Sequence, residues 1–128
     1  MQLIFVHGAG GGPSEWVYQT RYFPAAEAVA LPGHPEGTPC LTLDEYMEWL
    51  HRYLHQQRHQ DVVLVGHSMG GGIVQLYGLK YGADLKALVL VGTGARLRVA
   101  PTILTALKEM TTNATAWQRY LADDLYLM

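Results

Sequence analysis

Apolar residues along this chain fall into two patterns. Leu3-Ile4-Phe5-Val6, Val62-Val63-Leu64-Val65 and Ala87-Leu88-Val89-Leu90-Val91 are short continuous runs, the mark of strands buried on both faces. Ala28-Val29-Ala30-Leu31 is a weaker run, stopped by Pro32-Gly33. Between the runs, apolar positions recur at helical spacing. Thr42-Leu43-Asp44-Glu45 reads as a capping box, with Thr42 as N-cap and Glu45 reaching back from the third helical position. The helix it opens places Leu43, Tyr46, Met47, Leu50, Tyr53 and Leu54 on one face. A second helix carries Ile73, Val74, Leu76, Tyr77 and Leu79 and ends at Gly82. Pro13-Ser14-Glu15-Trp16 predicts a short helical turn.

Short apolar strands alternating with helices predict an α/β fold with a parallel sheet and helices on both faces. After Gly92-Thr93-Gly94 the pattern changes. Ile103, Leu104, Leu107 and Met110 form one helical stripe, and Trp117, Tyr120, Leu121 and Leu125 form another. The Thr111-Thr112-Asn113 break between them predicts a helical hairpin separate from the sheet. No internal repeat or low-complexity tract is present.

Composition narrows the class. A chain of 128 residues, 49% hydrophobic and 16% charged, suits one globular domain and not a disordered chain. A net charge of −2 with no Lys/Arg stripe gives no electrostatic footprint for nucleic acid. The apolar runs fall far short of a membrane span. Met1 leads straight into the first apolar run without a basic segment or small-residue cleavage site, so no signal peptide is expected. The single Cys40 excludes an intramolecular disulfide and fits a reducing, cytoplasmic setting. In that setting the sequon Asn113-Ala114-Thr115 is a chance match.

The candidate chemistry is concentrated after the third apolar run. Gly66-His67-Ser68-Met69-Gly70 is a G-x-S-x-G pattern between a predicted buried strand and a predicted helix, the context that makes it a nucleophile elbow. The serine must stand on a sharp turn with its hydroxyl exposed. Side chains at Gly66 or Gly70 would collide with the neighbouring strand and helix. The following helix points its unpaired amides and positive dipole end toward the reacting oxygen. The plainer reading is an ordinary tight turn with a solvent-facing serine. A second glycine loop, His7-Gly8-Ala9-Gly10-Gly11-Gly12, follows the first run. It does not satisfy G-x-G-x-x-G, and no acidic residue ends the second run, so a dinucleotide site is not expected.

Three blocks in order, Val6-His7-Gly8, Leu31-Pro32-Gly33-His34 and Val65-Gly66-His67-Ser68-Met69-Gly70-Gly71, resemble the α/β-hydrolase superfamily in its smaller esterase-like branch. Leu88-Val89-Leu90-Val91-Gly92 continues the match as the strand after the nucleophile helix. The resemblance implies a partial α/β-hydrolase fold, with a core over residues 1–95 and the start of a helical lid over 96–128. It implies that the strands lie in spatial order second, first, third, fourth. It also implies Ser68 as nucleophile, with the backbone amides of Ala9 and Met69 as the oxyanion hole. His7, Gly8, Gly66, His67 and Gly70 take supporting roles: His7 orients the oxyanion loop, and His67 packs and hydrogen-bonds locally. His34 stands in a Pro-Gly turn, with Ala30 and Leu31 where the family usually has an acidic residue.

Three further histidines, His51, His55 and His59, share one helical edge at i, i+4 spacing. With no carboxylate or thiolate partner evident nearby, a solvated helix face is expected and no metal site. No cofactor is implied.

In the superfamily the triad runs Ser, then Asp or Glu, then His. No histidine follows His67, Gly92-Thr93-Gly94-Ala95 supplies no acid after the fourth run, and Asp123 and Asp124 fall in the helical hairpin. The acid and base are therefore expected on a complementary C-terminal segment or chain, this chain being a truncation, a cleaved fragment or half of a split enzyme. Without that segment the fourth run becomes an uncovered apolar edge.

Two readings of function follow. One is a serine hydrolase of small esters or related acyl compounds. Leu97, Leu104, Leu107, Met110 and Trp117 are candidates for an apolar acyl pocket, although lid-to-core packing is the plainer account of them. Serine at the elbow disfavours dehalogenase and epoxide-hydrolase chemistry, which use a carboxylate there. It leaves lyases, perhydrolases and carbon–carbon hydrolases open. The other reading is a non-catalytic module of the same fold that binds a small ligand or a partner chain.

Overall fold

The computed structural model describes residues 1–96, 100–102 and 105. Four strands, β1 (Gln2–Val6), β2 (Glu27–Val29), β3 (Val62–His67) and β4 (Leu85–Val91), form one parallel sheet in the order β2-β1-β3-β4. The expected order is borne out. The helices are α1 (Val17–Tyr22), α2 (Leu43–Gln56) and α3 (Met69–Tyr81), with 3₁₀ turns at Pro13–Trp16 and Gly82–Asp84.

Side chains on the central strands alternate between two cores, as the two-residue period of a strand requires. Ile4 and Val6 of β1 and Val62 and Leu64 of β3 meet Tyr46, Met47, Leu50 and Leu54 of α2 and Ile73, Val74 and Tyr77 of α3. Phe5, Val63 and Val65 face the other way and meet Trp16, whose indole stacks on Phe5 with centroids 4.8 Å apart. Burial on both faces explains why these runs are continuous rather than alternating.

Several elements differ from expectation for identifiable reasons. Helix α1 has no buried residue, and Tyr18 and Tyr22 are exposed, so it leaves no apolar stripe in the sequence. Strand β2 spans Glu27–Val29, not residues 28–31. Its ladder stops short because the Leu31 amide donates to the His7 ring instead. Only half of the capping box forms. The Glu45 amide donates to Thr42 Oγ1 at 3.2 Å, but the Glu45 carboxylate accepts from the Leu41 amide at 2.8 Å, one residue before the N-cap. Gly82 has φ −59° and leads into a 3₁₀ turn rather than a left-handed cap. The expected helical hairpin falls almost wholly outside the described residues.

Strand β4 is an edge of the sheet among the described residues. Leu88, Val89, Leu90 and Val91 are 38%, 43%, 45% and 42% exposed.

Two glycines pack backbone against backbone. A Cβ on Gly70 would lie 2.3 Å from the Val6 carbonyl oxygen and 2.5 Å from that of His7. One on Gly66 would lie 2.4 Å from the Gly70 carbonyl oxygen. Neither neighbour is a side chain that can swing away, so the start of α3 seats directly on the ends of β1 and β3. Gly12→Ala places its methyl group where nothing lies within 4 Å, on an extended backbone of φ −171°. Gly70→Ala is therefore expected to cost at least about 3 kcal/mol of unfolding free energy or abolish folding, and Gly12→Ala to stay within about 0.5 kcal/mol of wild type. Urea denaturation of the two variants side by side checks this.

Candidate functional site

Ser68 stands where β3 ends and α3 begins. Its φ of 52° and ψ of −117° lie outside the regions an L-residue adopts freely. It occupies the N-cap of α3, where serine ordinarily turns its hydroxyl back onto the helix amides. Here the side chain makes no cap hydrogen bond, so the distorted turn leaves Oγ free of that duty. The main chain is held instead. The Ser68 amide donates to the Val91 carbonyl at 3.2 Å, and the Ser68 carbonyl accepts from Thr93 Oγ1 at 3.0 Å and the Gly72 amide at 3.2 Å. Thr93 was not singled out by sequence, yet it ties the loop after β4 to this turn. A Cβ on Gly71 would strike its side chain at 2.2 Å.

The loop after β1 lies against the same turn. A Cβ on Gly8 would sit 3.2 Å from Ser68 Cβ and 3.4 Å from His67 Nδ1. Ala9 follows directly on that loop and is exposed. Met69 is the first residue of α3, so its amide has no acceptor within the helix.

His7 is fully buried and sets the loop's course. Its Nε2 accepts from the Leu31 amide at 3.1 Å, which leaves the proton on Nδ1 to donate to the Gly8 carbonyl at 2.8 Å. The expectation that His7 orients this loop by hydrogen bonds agrees with this geometry. Burial pushes its pKa below the ordinary value, more than the Gly8 carbonyl raises it. With both nitrogens occupied, His7 has none to offer Ser68. His34 turns Nδ1 toward the Pro32 carbonyl at 3.1 Å and packs at 5.0 Å from the His7 ring.

Sequence reasoning missed Glu15. Its carboxylate accepts from the Gly8 amide at 3.2 Å and pairs with His67 Nδ1. It thereby bridges the loop after β1 to the residue before Ser68, across 52 positions of sequence. Trp16 backs the arrangement, edge-on to the His67 ring at 6.3 Å. Nothing in the linear sequence pairs Glu15 with His67; only the parallel β1–β3 register, Val6 opposite Gly66, brings them together. Among the described residues no histidine ring is hydrogen-bonded to the Ser68 hydroxyl. Leu97, Leu104, Leu107, Met110 and Trp117, the candidates for an acyl pocket, lie outside the described residues.

The three histidines expected on one helical edge do not share it: His51 and His55 lie on α2, which ends at Gln56, and His59 falls beyond it. His59 pairs with Glu27 at 3.0 Å. His51 and His55 stand beside Asp84, at 4.0 and 3.6 Å. The premise that these rings have no carboxylate nearby is therefore corrected: the 3₁₀ turn after α3 delivers one.

A strained serine between a buried parallel strand and a helix, with a buried histidine-held glycine loop against it, defines a recognisable class of fold. Residues 3–127 match the model of the alpha/beta hydrolase family, and the chain belongs to that family. It is 36% identical over 96 residues to the pimeloyl-[acyl-carrier protein] methyl ester esterase of Aromatoleum aromaticum, covering 71% of this chain and 36% of the relative. It is 28% identical over 103 residues to human (lyso)-N-acylphosphatidylethanolamine lipase, covering 70% of this chain and 29% of that enzyme. The solved structure of a thermophilic esterase superposes with a TM-score of 0.70 at 35% identity, covering 84% of this chain and 42% of that one. The chain thus spans well under half the length of these relatives, and its sheet is part of the α/β-hydrolase fold. Among the described residues no helix is long and apolar enough to cross a membrane.

Two measurements test this account of the site. Relieving the positive φ at position 68 requires loss of the Cβ, so Ser68→Gly is expected to be more stable than Ser68→Ala by about 1–2 kcal/mol, the reverse of the usual order in and beside helices. Denaturation midpoints of the two variants decide it. The lowered pKa of His7 gives the second. Its unfolded form takes up a proton near pH 6.5 while the folded form resists, so stability is full above about pH 6.5 and falls as the pH drops below it. The His51 pKa is lowered too, chiefly by burial, and acts in the same direction. His7→Gln, which cannot titrate, is expected to flatten the loss of stability between pH 7.5 and pH 5.5 in part, His51 supplying the rest.

Proposed function

We propose that this chain carries the nucleophile half of a serine hydrolase acting on small carboxylic esters or related acyl compounds. The observation that carries the reading is Ser68 itself, held at φ 52° between β3 and α3 with its hydroxyl unused as a helix cap. In this reading the turn is a nucleophile elbow. Ser68 Oγ attacks the acyl carbonyl, its proton passes to a histidine, and the alcohol leaves to give an acyl-enzyme that water then hydrolyses. The Ala9 and Met69 amides form the oxyanion hole, each worth about 10²–10³ in rate. Support comes from Gly8 lying against Ser68 and from Met69 opening α3. The esterases and lipases among its relatives favour ester chemistry over the lyase, perhydrolase and carbon–carbon hydrolase options. Glu15 and His67 act as positioning residues that hold the oxyanion loop against the elbow.

The base and its acidic partner belong, in this proposal, to a complementary C-terminal segment or chain. Two observations support that assignment. No histidine follows His67 in the sequence, and both ring nitrogens of His7 are engaged elsewhere. The same segment adds the strand that pairs with β4 and covers its exposed apolar residues. A cytoplasmic site of action accords with the lone Cys40. The absence of a histidine hydrogen-bonded to Ser68 among the described residues favours one second reading, a binding module that retains the fold without turnover.

Ester hydrolysis separates the two. Residues 1–128 alone are expected to turn over p-nitrophenyl acetate barely above background, because general-base assistance contributes about 10²–10⁴ in rate. Joining or adding the C-terminal segment restores turnover, and Ser68→Ala abolishes it. Strong Ser68-dependent turnover by the chain alone would overturn the assignment of the base. No turnover after the sheet is completed would favour the binding module.

A further inference from the structure

The amino-terminal end of the sheet, opposite Ser68, carries a second cluster of chemically capable side chains. Helix α2 presents His51 and His55 one turn apart on one face. The 3₁₀ turn Gly82–Asp84 then brings the Asp84 carboxylate up beside them as the chain enters β4. We propose that His51, His55 and Asp84 form a binding site for a divalent transition-metal ion of the zinc type.

Three features carry the assignment. First, one donor atom from each residue lies within 4.8 Å of the others. Asp84 Oδ2 is 3.6 Å from His55 Nε2 and 4.0 Å from His51 Nδ1. Both separations exceed hydrogen-bond length, so the three atoms converge on a gap that no hydrogen bond closes. A tetrahedral ion with bonds of about 2.0–2.2 Å needs its donors about 3.3–3.6 Å apart, and small side-chain rotations reach that.

Second, the cluster joins one anchored ligand to two adjustable ones. The His51 ring stacks on Tyr81, with centroids 3.6 Å apart and planes 4° from parallel; an ion at its Nδ1 would displace the Tyr77 hydroxyl that now lies 3.2 Å from that nitrogen. A ring already fixed loses little freedom on binding. The His55 and Asp84 side chains are exposed and can close on an ion without disturbing the core. The neighbouring cation Lys80 is engaged by Glu48 and does not claim Asp84.

Third, the donor set selects the ion. Two imidazoles and one carboxylate suit zinc, cobalt, nickel or copper, and a site for magnesium or calcium would be built from oxygens. Three protein ligands leave a fourth position for water. The adjacent surface groove, of about 810 Å³, includes His55 and Asp84 in its lining and gives that water room. An ion there clips α2 to the turn that launches β4, two elements otherwise joined through α3. Its role is to stabilise the native chain, and it stands apart from the chemistry at Ser68.

Isothermal titration of the metal-free chain with zinc chloride tests the site, with magnesium chloride as the contrast. The expected result is one zinc ion per chain, no comparable magnesium binding, and a rise in Tm with zinc. His55→Ala and Asp84→Asn are each expected to weaken zinc at least about tenfold. His59→Ala, beyond the end of α2 and paired with Glu27, leaves binding unchanged. Both ligand substitutions fall on exposed side chains, and matching metal-free Tm values check that the variants fold. Imidazole nitrogen NMR gives a second readout, in which the His51 and His55 resonances respond to zinc ahead of His34, His59 and His67. Zinc affinity unaffected by His55→Ala and Asp84→Asn, absence of zinc binding, or a response led by other histidines would each overturn the proposal.

Discussion

The close seating of α3 on β1 is the constraint on which the rest of this structure depends. With a Cβ on Gly70 at 2.3 Å from the Val6 carbonyl oxygen, any side chain there would lift the helix from the sheet. Lifting it would separate the turn at Ser68 from the loop at Gly8, and their contact is what builds the site. Gly66 serves the same end from the other side by letting β3 pass under the Gly70 carbonyl. The two flanking glycines of G-x-S-x-G are thus a packing requirement between elements distant in sequence. The positive φ of Ser68 is the local cost of fitting a strand end and a helix start into that space, about 1–3 kcal/mol for such a residue. Four-stranded pairing, the Val91 and Thr93 hydrogen bonds and the buried α2–α3 face together hold it there.

How much of this was legible in the sequence depends on whether a feature is written locally. Continuous apolar runs report strands buried on both faces, and β1 and β3 are so placed because Ile4 and Val6 serve one core and Phe5 the other; the third run, β4, is instead exposed along its length among the described residues. The α2 stripe is legible for the same reason: Tyr46, Met47, Leu50 and Leu54 are buried at helical spacing. Helix α1 was not legible, since a helix with no buried residue has no stripe to read. The early end of β2 was not legible either, because it is set by a histidine 24 residues upstream that takes the Leu31 amide. Ser68 could be found because its turn has a local code in glycine. Glu15 could not, because its partners Gly8 and His67 are assembled only when β1 pairs with β3. Asp84 escaped attention beside His51 and His55 on the same ground.

His7 shows how a buried polar group can organise such a site without taking part in it. Removed from water, an imidazole must satisfy both nitrogens within the protein, and the Leu31 amide and Gly8 carbonyl do so with opposite hydrogen-bond sense. That pairing fixes one tautomer and penalises the protonated form, which would present a second donor to the Leu31 amide. The loop position at Gly8 is therefore coupled to the end of β2 and to the protonation state of the buried His7 ring. Glu15 works from the exposed side, holding the Gly8 amide toward His67. Between them the two residues grip Gly8 at its carbonyl and its amide, and the direction in which the Ala9 amide points is set by that grip.

The two ends of the sheet then differ in what they ask of the rest of the protein. At the carboxyl end, Ser68, the Gly8 loop and Thr93 are positioned by contacts already present within residues 1–96. Both nitrogens of the His7 ring are hydrogen-bonded, and Nδ1 of His67 pairs with Glu15. Strand β4 presents its apolar residues at 38–45% exposure next to this same corner. A strand added beside β4 would run parallel or antiparallel to it and end near Thr93 at one of its termini. A loop leaving that terminus would come close to the Ser68 turn. The β4 edge, exposed among the described residues, and the Ser68 turn thus lie at one corner of the sheet, and under the proposed function one added segment of chain serves both.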